Sequence, residues 1–206
     1  MNTTILTSTS GYAEAADALA EQYESVGFED VHTGVLHLLP PPGARVLDIG
    51  SGTGRDAAAL AALGHTVVAV EPTAELRAHA RRIHRTDTIT WLDDSLPDLT
   101  EPDRRGPYDL VVVSAVWMHL TATERERSMA RVAALLAPGG LLLLSLRHGP
   151  VPRGRRMFEV TATETIELAR SRGLACVHHG DSADPFHRGG VRWSDLAFTR
   201  GNDEES

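Results

Sequence analysis

Two rhythms of apolar residues alternate along this chain. Short runs with nearly every position apolar, such as Val67-Val68-Ala69-Val70 and Leu110-Val111-Val112-Val113, are separated by longer stretches where apolar residues recur every three or four positions. The first rhythm belongs to strands buried on both faces, the second to amphipathic helices. Strands are therefore predicted at Arg45–Ile49, Thr66–Val70, Thr88–Leu92, Tyr108–Ser114, Leu141–Leu146, Leu174–His178 and Val191–Thr199. Helices are predicted over Gly54–Leu63, from Thr73 to near His84, from Thr121 or Thr123 to Leu136, and from Thr161 or Thr163 to near Arg172. Each threonine suits an N-cap, where a short side-chain oxygen accepts from a free first-turn amide. Upstream, Tyr12 to near Val26 and Asp30–Leu39 read as two more helices, ended by Pro40-Pro41-Pro42-Gly43.

Strands alternating with helices imply right-handed βαβ units and a doubly wound, mostly parallel α/β sheet with helices on both faces. Three regions follow: a helical appendage over residues 1–42, an α/β domain over 43–200, and a disordered acidic tail over 201–206. The 206 residues suffice for one sizeable core, and 42% apolar against 23% charged is ordinary for a globular chain. A net charge of −8 argues against a general nucleic-acid or acidic-membrane binder. No stretch is apolar enough to span a bilayer and the N-terminus lacks a signal-peptide pattern, so the expected location is cytoplasmic, as monomer or homodimer. The single cysteine, Cys176, can make neither an internal disulfide nor a cysteine metal cage.

The candidate chemistry begins at Val46-Leu47-Asp48-Ile49-Gly50-Ser51-Gly52-Thr53-Gly54, where a buried strand runs through three alternate glycines into a helix. Such a turn lets backbone approach a ligand closely. An acid, Glu71, follows at the end of the next strand, where it would bind ribose hydroxyls. The segment resembles the first motif of the class I S-adenosylmethionine-dependent methyltransferases. Val67–Glu71, Trp91–Pro97, Tyr108–His119 and Leu136–Leu142 resemble that family's later blocks, in order. A nicotinamide-binding reading fits less well, because the third glycine comes one residue early.

The resemblance implies a seven-stranded sheet of order 3-2-1-4-5-7-6 with its last strand antiparallel, an N-terminal helical lid, and S-adenosylmethionine as methyl donor with S-adenosylhomocysteine as product. It places Asp48, Gly50, Ser51, Gly52 and Gly54 around the methionine and ribose, and Glu71 and Pro72 at the ribose. It places Asp94, or Asp93 if the strand end shifts by one, at the adenine amino group, with Ser95 and Leu96 beside it. Ser114 and Ala115 would lie beside the methionine, and Tyr12 would close over it.

Methyl transfer is an in-line displacement, so the main task is positioning, and a base is needed only when the acceptor must lose a proton. His119, just past the fourth strand, titrates in the right range for that base. Trp117, His119, Arg147, Arg155 and Arg156 are the candidate acceptor-binding residues. The segment Arg147–Arg156 carries four arginines and no acid, in an acidic chain. Arginine forks suit carboxylates and phosphates. The expected activity is methylation at O or N of a small molecule, anionic if those arginines hold it. RNA or protein methylation through the same arginines, and a catalytically silent S-adenosylmethionine-binding regulator, are the alternatives. No metal is expected: His178, His179 and His187 with Asp181 and Asp184 match no standard ligand spacing.

Overall fold

The computed structural model describes residues 7–201; the predicted disordered tail lies outside them from residue 202 onward. In chain order the elements are α1 (Ala16–Tyr23), α2 (Phe28–His32), β1 (Arg45–Ile49), α3 (Arg55–Ala62), β2 (Thr66–Val70), α4 (Ala74–Ile83), β3 (Ile89–Leu92), β4 (Tyr108–Val113), α5 (Ala122–Leu135), β5 (Leu136–His148), α6 (Ala162–Arg170), β6 (Leu174–Ala183) and β7 (Arg192–Arg200). Single 3-10 turns lie at Leu36–Leu38, Pro102–Arg105 and Trp117–His119.

The strands form one sheet of order β3-β2-β1-β4-β5-β7-β6. The pairings from β3 through β5 are parallel, and β7 runs antiparallel between β5 and β6. The chain reverses its direction of winding between β1 and β4, so a crevice opens beyond the C-terminal ends of those strands. Period-two alternation divides the core. Leu47, Ile49, Val111 and Val113 pack with Met129 and Val132 of α5, while Val46, Leu110 and Val112 pack with Ala57 and Leu60 of α3 and Phe28 of α2.

Helix starts follow cap chemistry where the cap is real. Thr121 accepts from the Glu124 amide while Glu124 reaches back to the Thr121 amide, a full capping box. Thr161 accepts from the Glu164 amide. Thr73 makes no side-chain capping bond; its amide donates to Glu71 instead. The predicted first helix loses its opening turn: residues 9–15 form separate turns, and α1 starts at Ala16. The predicted second helix stops at His32 and resumes only as the turn Leu36–Leu38. β6 runs five residues beyond the predicted strand end, to Ala183. Its outer half is polar and exposed at the sheet edge, held by pairing with β7 and shifted in register after Cys176. An apolar rhythm cannot mark such a strand. Among the described residues, no helix is long and apolar enough to cross a membrane.

Candidate functional site

A cavity of about 450 Å³ occupies the crevice, within the range of small-molecule sites. One end is the turn between β1 and α3. Gly50, Gly52 and Gly54 have φ of +70°, +57° and +85°, in the left-handed region where side chains are strained. A Cβ on Gly50 would stand 2.4 Å from Val116 Cγ2. Gly54 serves a different purpose from its neighbours. It does not line the cavity; a Cβ there would strike the Trp91 ring at 2.4 Å, so its bareness seats Trp91 against the start of α3.

Glu71 ties this turn together. Its Oε2 accepts from the Gly52 amide at 2.9 Å and its Oε1 from the Thr73 amide at 2.8 Å. The carboxylate is buried in the cavity wall, which pushes its pKa up, and each oxygen keeps acceptor capacity. Asp48 is 1% exposed and its Oδ2 has no hydrogen-bond partner; Ser51 Oγ is equally buried and unpartnered. Burial, then the nearby Asp56 charge, raises the Asp48 pKa well above the usual carboxylate range. Asp56 itself bridges His32 Nε2 and Arg55 Nε, each at 2.7 Å. Burial alone would raise its pKa, but those two partners hold it low, and the cluster fastens α2 onto α3.

Neither acid after β3 reaches the cavity. Asp94 accepts from the amides of Ser95 and Glu101, each at 2.8 Å, satisfying loop backbone with both oxygens. Asp93 pairs with Arg77 and is mostly exposed. Ser95, Leu96 and Pro72 do line the wall.

The other end gathers distant segments. Past β4, Ser114 and Ala115 line the cavity; Ala115 has φ of +59° and its amide donates to Ser145 Oγ at 3.0 Å. Of the next turn, Trp117 is 1% exposed inside the core and does not line the cavity, whereas Met118 and His119 do. His119 Nδ1 lies 2.6 Å from the Arg156 carbonyl, which can only accept. The ring hydrogen is therefore on Nδ1, and Nε2 accepts from the Tyr12 hydroxyl at 2.9 Å. Burial, helped by the charges of Arg155 and Arg156, lowers the His119 pKa and keeps the ring neutral. Arg155 stacks 3.6 Å over the Tyr12 ring. Arg156 stays outside: its guanidinium binds the His119 carbonyl at 2.8 Å and Glu124 at 2.9 Å, strapping two loops together. Arg147 and Arg155 face the cavity, and Arg188 joins them.

Residues 46–140 match the methyltransferase domain family. A methyltransferase of unassigned substrate from Geobacillus kaustophilus is 29% identical over 86% of this chain and 77% of its own length. Among solved structures, the 1,6-didemethyltoxoflavin-N1-methyltransferase of Burkholderia thailandensis, bound to 1,6-didemethyltoxoflavin and S-adenosylhomocysteine, has a TM-score of 0.67 at 21% identity, over 92% of this chain and 90% of that one. Magnesium protoporphyrin IX methyltransferase from Synechocystis, bound to S-adenosylhomocysteine, has a TM-score of 0.69 at 18% identity, over 92% and 97%. The chain carries a methyltransferase domain, and it is an S-adenosylmethionine-dependent methyltransferase.

The cavity of this methyltransferase suits its methyl donor in kind. The free acceptors of Asp48, Ser51 and Glu71 match a ligand carrying an ammonium and two ribose hydroxyls. The sequence did not point to Tyr23, whose ring would stand 3.7 Å from a Cβ on Gly52, or to Arg188 and Asp195 of the far wall. Nothing local marks them: they arrive through the docking of α1 and the antiparallel return of β7. Among the described residues, no group of three or more His, Cys, Asp or Glu side chains is arranged to hold a metal.

Proposed function

We propose that this methyltransferase methylates an O or N atom of a small molecule seated between Tyr12–His119 and the far wall. The observation that carries this reading is the Tyr12–His119 pair: a buried, neutral imidazole with its accepting nitrogen directed at a hydroxyl inside the cavity. When bound, S-adenosylmethionine would supply a methyl on a sulfonium for transfer to the acceptor, leaving S-adenosylhomocysteine. Asp48 and Ser51 hold the donor's ammonium, and Glu71 its ribose hydroxyls. The Gly50–Gly52 backbone leaves room for both. His119 Nε2 takes the acceptor's proton, directly or through the Tyr12 hydroxyl. Residues 12–38 act as a lid: α1 and α2 contribute Leu19, Tyr23 and Val31 to the wall and exclude water.

A small acceptor is favoured over RNA or protein because Arg147 and Arg155 line the same cavity as the glycine turn and Arg156 is paired with Glu124. Incubating the protein with methyl-labelled S-adenosylmethionine and cell extract, then separating small from large molecules, tests this. Label is expected in the small-molecule fraction and reduced with His119→Asn. Label confined to RNA or protein overturns the small-acceptor reading. Tight donor binding without any transfer favours the regulator.

A further inference from the structure

The wall far from the glycine turn holds a cation, Arg147, that forms no ion pair among the described residues. On the ladder of β5, β7 and β6, Arg147 stands opposite Trp193 and Ser145 opposite Asp195, while Ser182 pairs with Trp193 from the other side. All five line the cavity. Arg147 Nη1 donates to the Pro150 carbonyl at 2.9 Å and touches the Met157 sulfur at 4.0 Å. Its Nε is buried without a partner. Among the described residues it forms no salt bridge.

Of the neighbouring acids, Asp184 is fully engaged and Asp195 lies off to one side. Asp184 accepts four hydrogen bonds: Oδ2 from the Arg188 amide and Nε, Oδ1 from Arg188 Nη2 and Trp193 Nε1. A carboxylate offers about four acceptor positions, so none is left for Arg147. Asp195 sits on the diagonal from Arg147, about 7–8 Å away in an antiparallel ladder, and accepts from Ser182 Oγ. Asp48, Asp56 and Glu71 lie at the glycine-turn end. The Arg188 charge is matched by Asp184, and Arg155 is stacked on Tyr12. Burial, then the Arg188 charge, lowers the Arg147 pKa, against a smaller upward pull from the Asp184 charge. Arg147 is half-buried, and a partly desolvated guanidinium outside any ion pair gains from an incoming anion.

We propose that the methyl acceptor carries a carboxylate or phosphate, bound by Arg147, with its apolar part against Trp193 and Met157. Arg147 is then the residue that selects anionic acceptors. The proposal rests on the far wall being the acceptor end, as argued above. A planar guanidinium with unused donors binds such groups through two parallel hydrogen bonds, which a neutral isostere cannot form.

The test uses the full chain, with and without S-adenosylhomocysteine, titrated by calorimetry with benzoate, phenyl phosphate and benzyl alcohol. The expected result is that one anion binds about tenfold or more tighter than benzyl alcohol, a charge-assisted gain. Benzoate alone points to a carboxylate acceptor, phenyl phosphate alone to a phosphate. Arg147→Met keeps the apolar stem and should abolish the preference, while Arg147→Lys should keep part of it. If Arg147→Met does not fold, the parent's selectivity and Arg147→Lys decide. Anions binding no tighter than benzyl alcohol, or equally well to Arg147→Met, overturn the proposal. S-adenosylhomocysteine binding is read separately in the same protein. Donor binding without anion selectivity leaves methyl transfer standing and removes the anionic acceptor; anion selectivity without donor binding leaves an anion site at Arg147 but overturns its role in methyl transfer.

Discussion

At the glycine-turn end of the cavity, most ligand-facing groups come from one short run of chain, Asp48 to Thr53, tied through the Gly52 amide to Glu71, which the Thr73 amide holds in turn. At the far end they come from segments that meet only in the folded chain; Tyr12 and His119 are 107 residues apart. The first end is built mostly of backbone, whose positions are fixed by φ and by strand register. The second is built of side chains, each held by a partner from another element. Backbone geometry suits a donor that every member of the family shares. Side chains can be exchanged one at a time, which suits an acceptor that differs from one enzyme to the next.

The strongest challenge to this contrast is Gly50→Ala. The added methyl meets a β-branched side chain at 2.4 Å, on backbone already at φ +70°. Val116 is stiff about its first torsion and cannot swing aside cheaply. We expect S-adenosylhomocysteine affinity to fall by about 100-fold or more, since overpacking costs about 1–3 kcal/mol and the left-handed conformation adds to it. Calorimetry showing a change of threefold or less would mean the turn is not preset.

Glu71→Gln should act more mildly at the same end. The amide keeps one acceptor oxygen but sets its own donors against the Gly52 or Thr73 amide. A lost charged hydrogen bond amounts to about 1–3 kcal/mol, or roughly 10–100-fold in donor affinity. Full retention of affinity would remove Glu71 from the site.

The far end should respond in turnover rather than in donor binding. Tyr12→Phe removes one hydrogen bond, about 1 kcal/mol, so kcat should fall by about fivefold while S-adenosylhomocysteine affinity holds. The pH dependence carries a sign. His119 is held below its ordinary pKa by burial, so it stays a usable base as pH falls below about 6.5 and is lost on protonation further down. The unfolded chain binds the proton first, so stability falls with pH between the ordinary and the lowered value. His119→Asn should flatten both profiles in that window. An unchanged pH–rate profile would leave His119 a packing residue.

What was legible in the sequence follows the same division. Val67–Val70 and Leu110–Val113 are apolar because both their faces are buried, so strand positions and mostly parallel pairing could be read from the apolar pattern, while the strand order came from the family resemblance. The glycine turn was legible because it is contiguous. The outer half of β6 was not, because its neighbours, and not its own residues, make it a strand. Arg156 and Trp117 look like site residues in one dimension. One is drawn away by Glu124 and the other by the core beneath β4 and β5.

Asp94 offers the smallest effect and the finest test. By position it is the acid that should meet the adenine amino group, yet both its oxygens hold loop amides, and only its neighbours Ser95 and Leu96 touch the cavity. If the loop's shape is what matters, Asp94→Ala leaves two amides without their acceptor. That should lower stability by about 1–2 kcal/mol, read by denaturant unfolding. Donor affinity should then change by no more than about threefold, since the loop is also held through Leu96 and Leu99 in the core. Asp94→Asn keeps one acceptor and should recover part of the stability. A loss of about tenfold or more in donor affinity, with stability intact, would make Asp94 a ligand contact. The cofactor end would then depend on side-chain rearrangement as the acceptor end does.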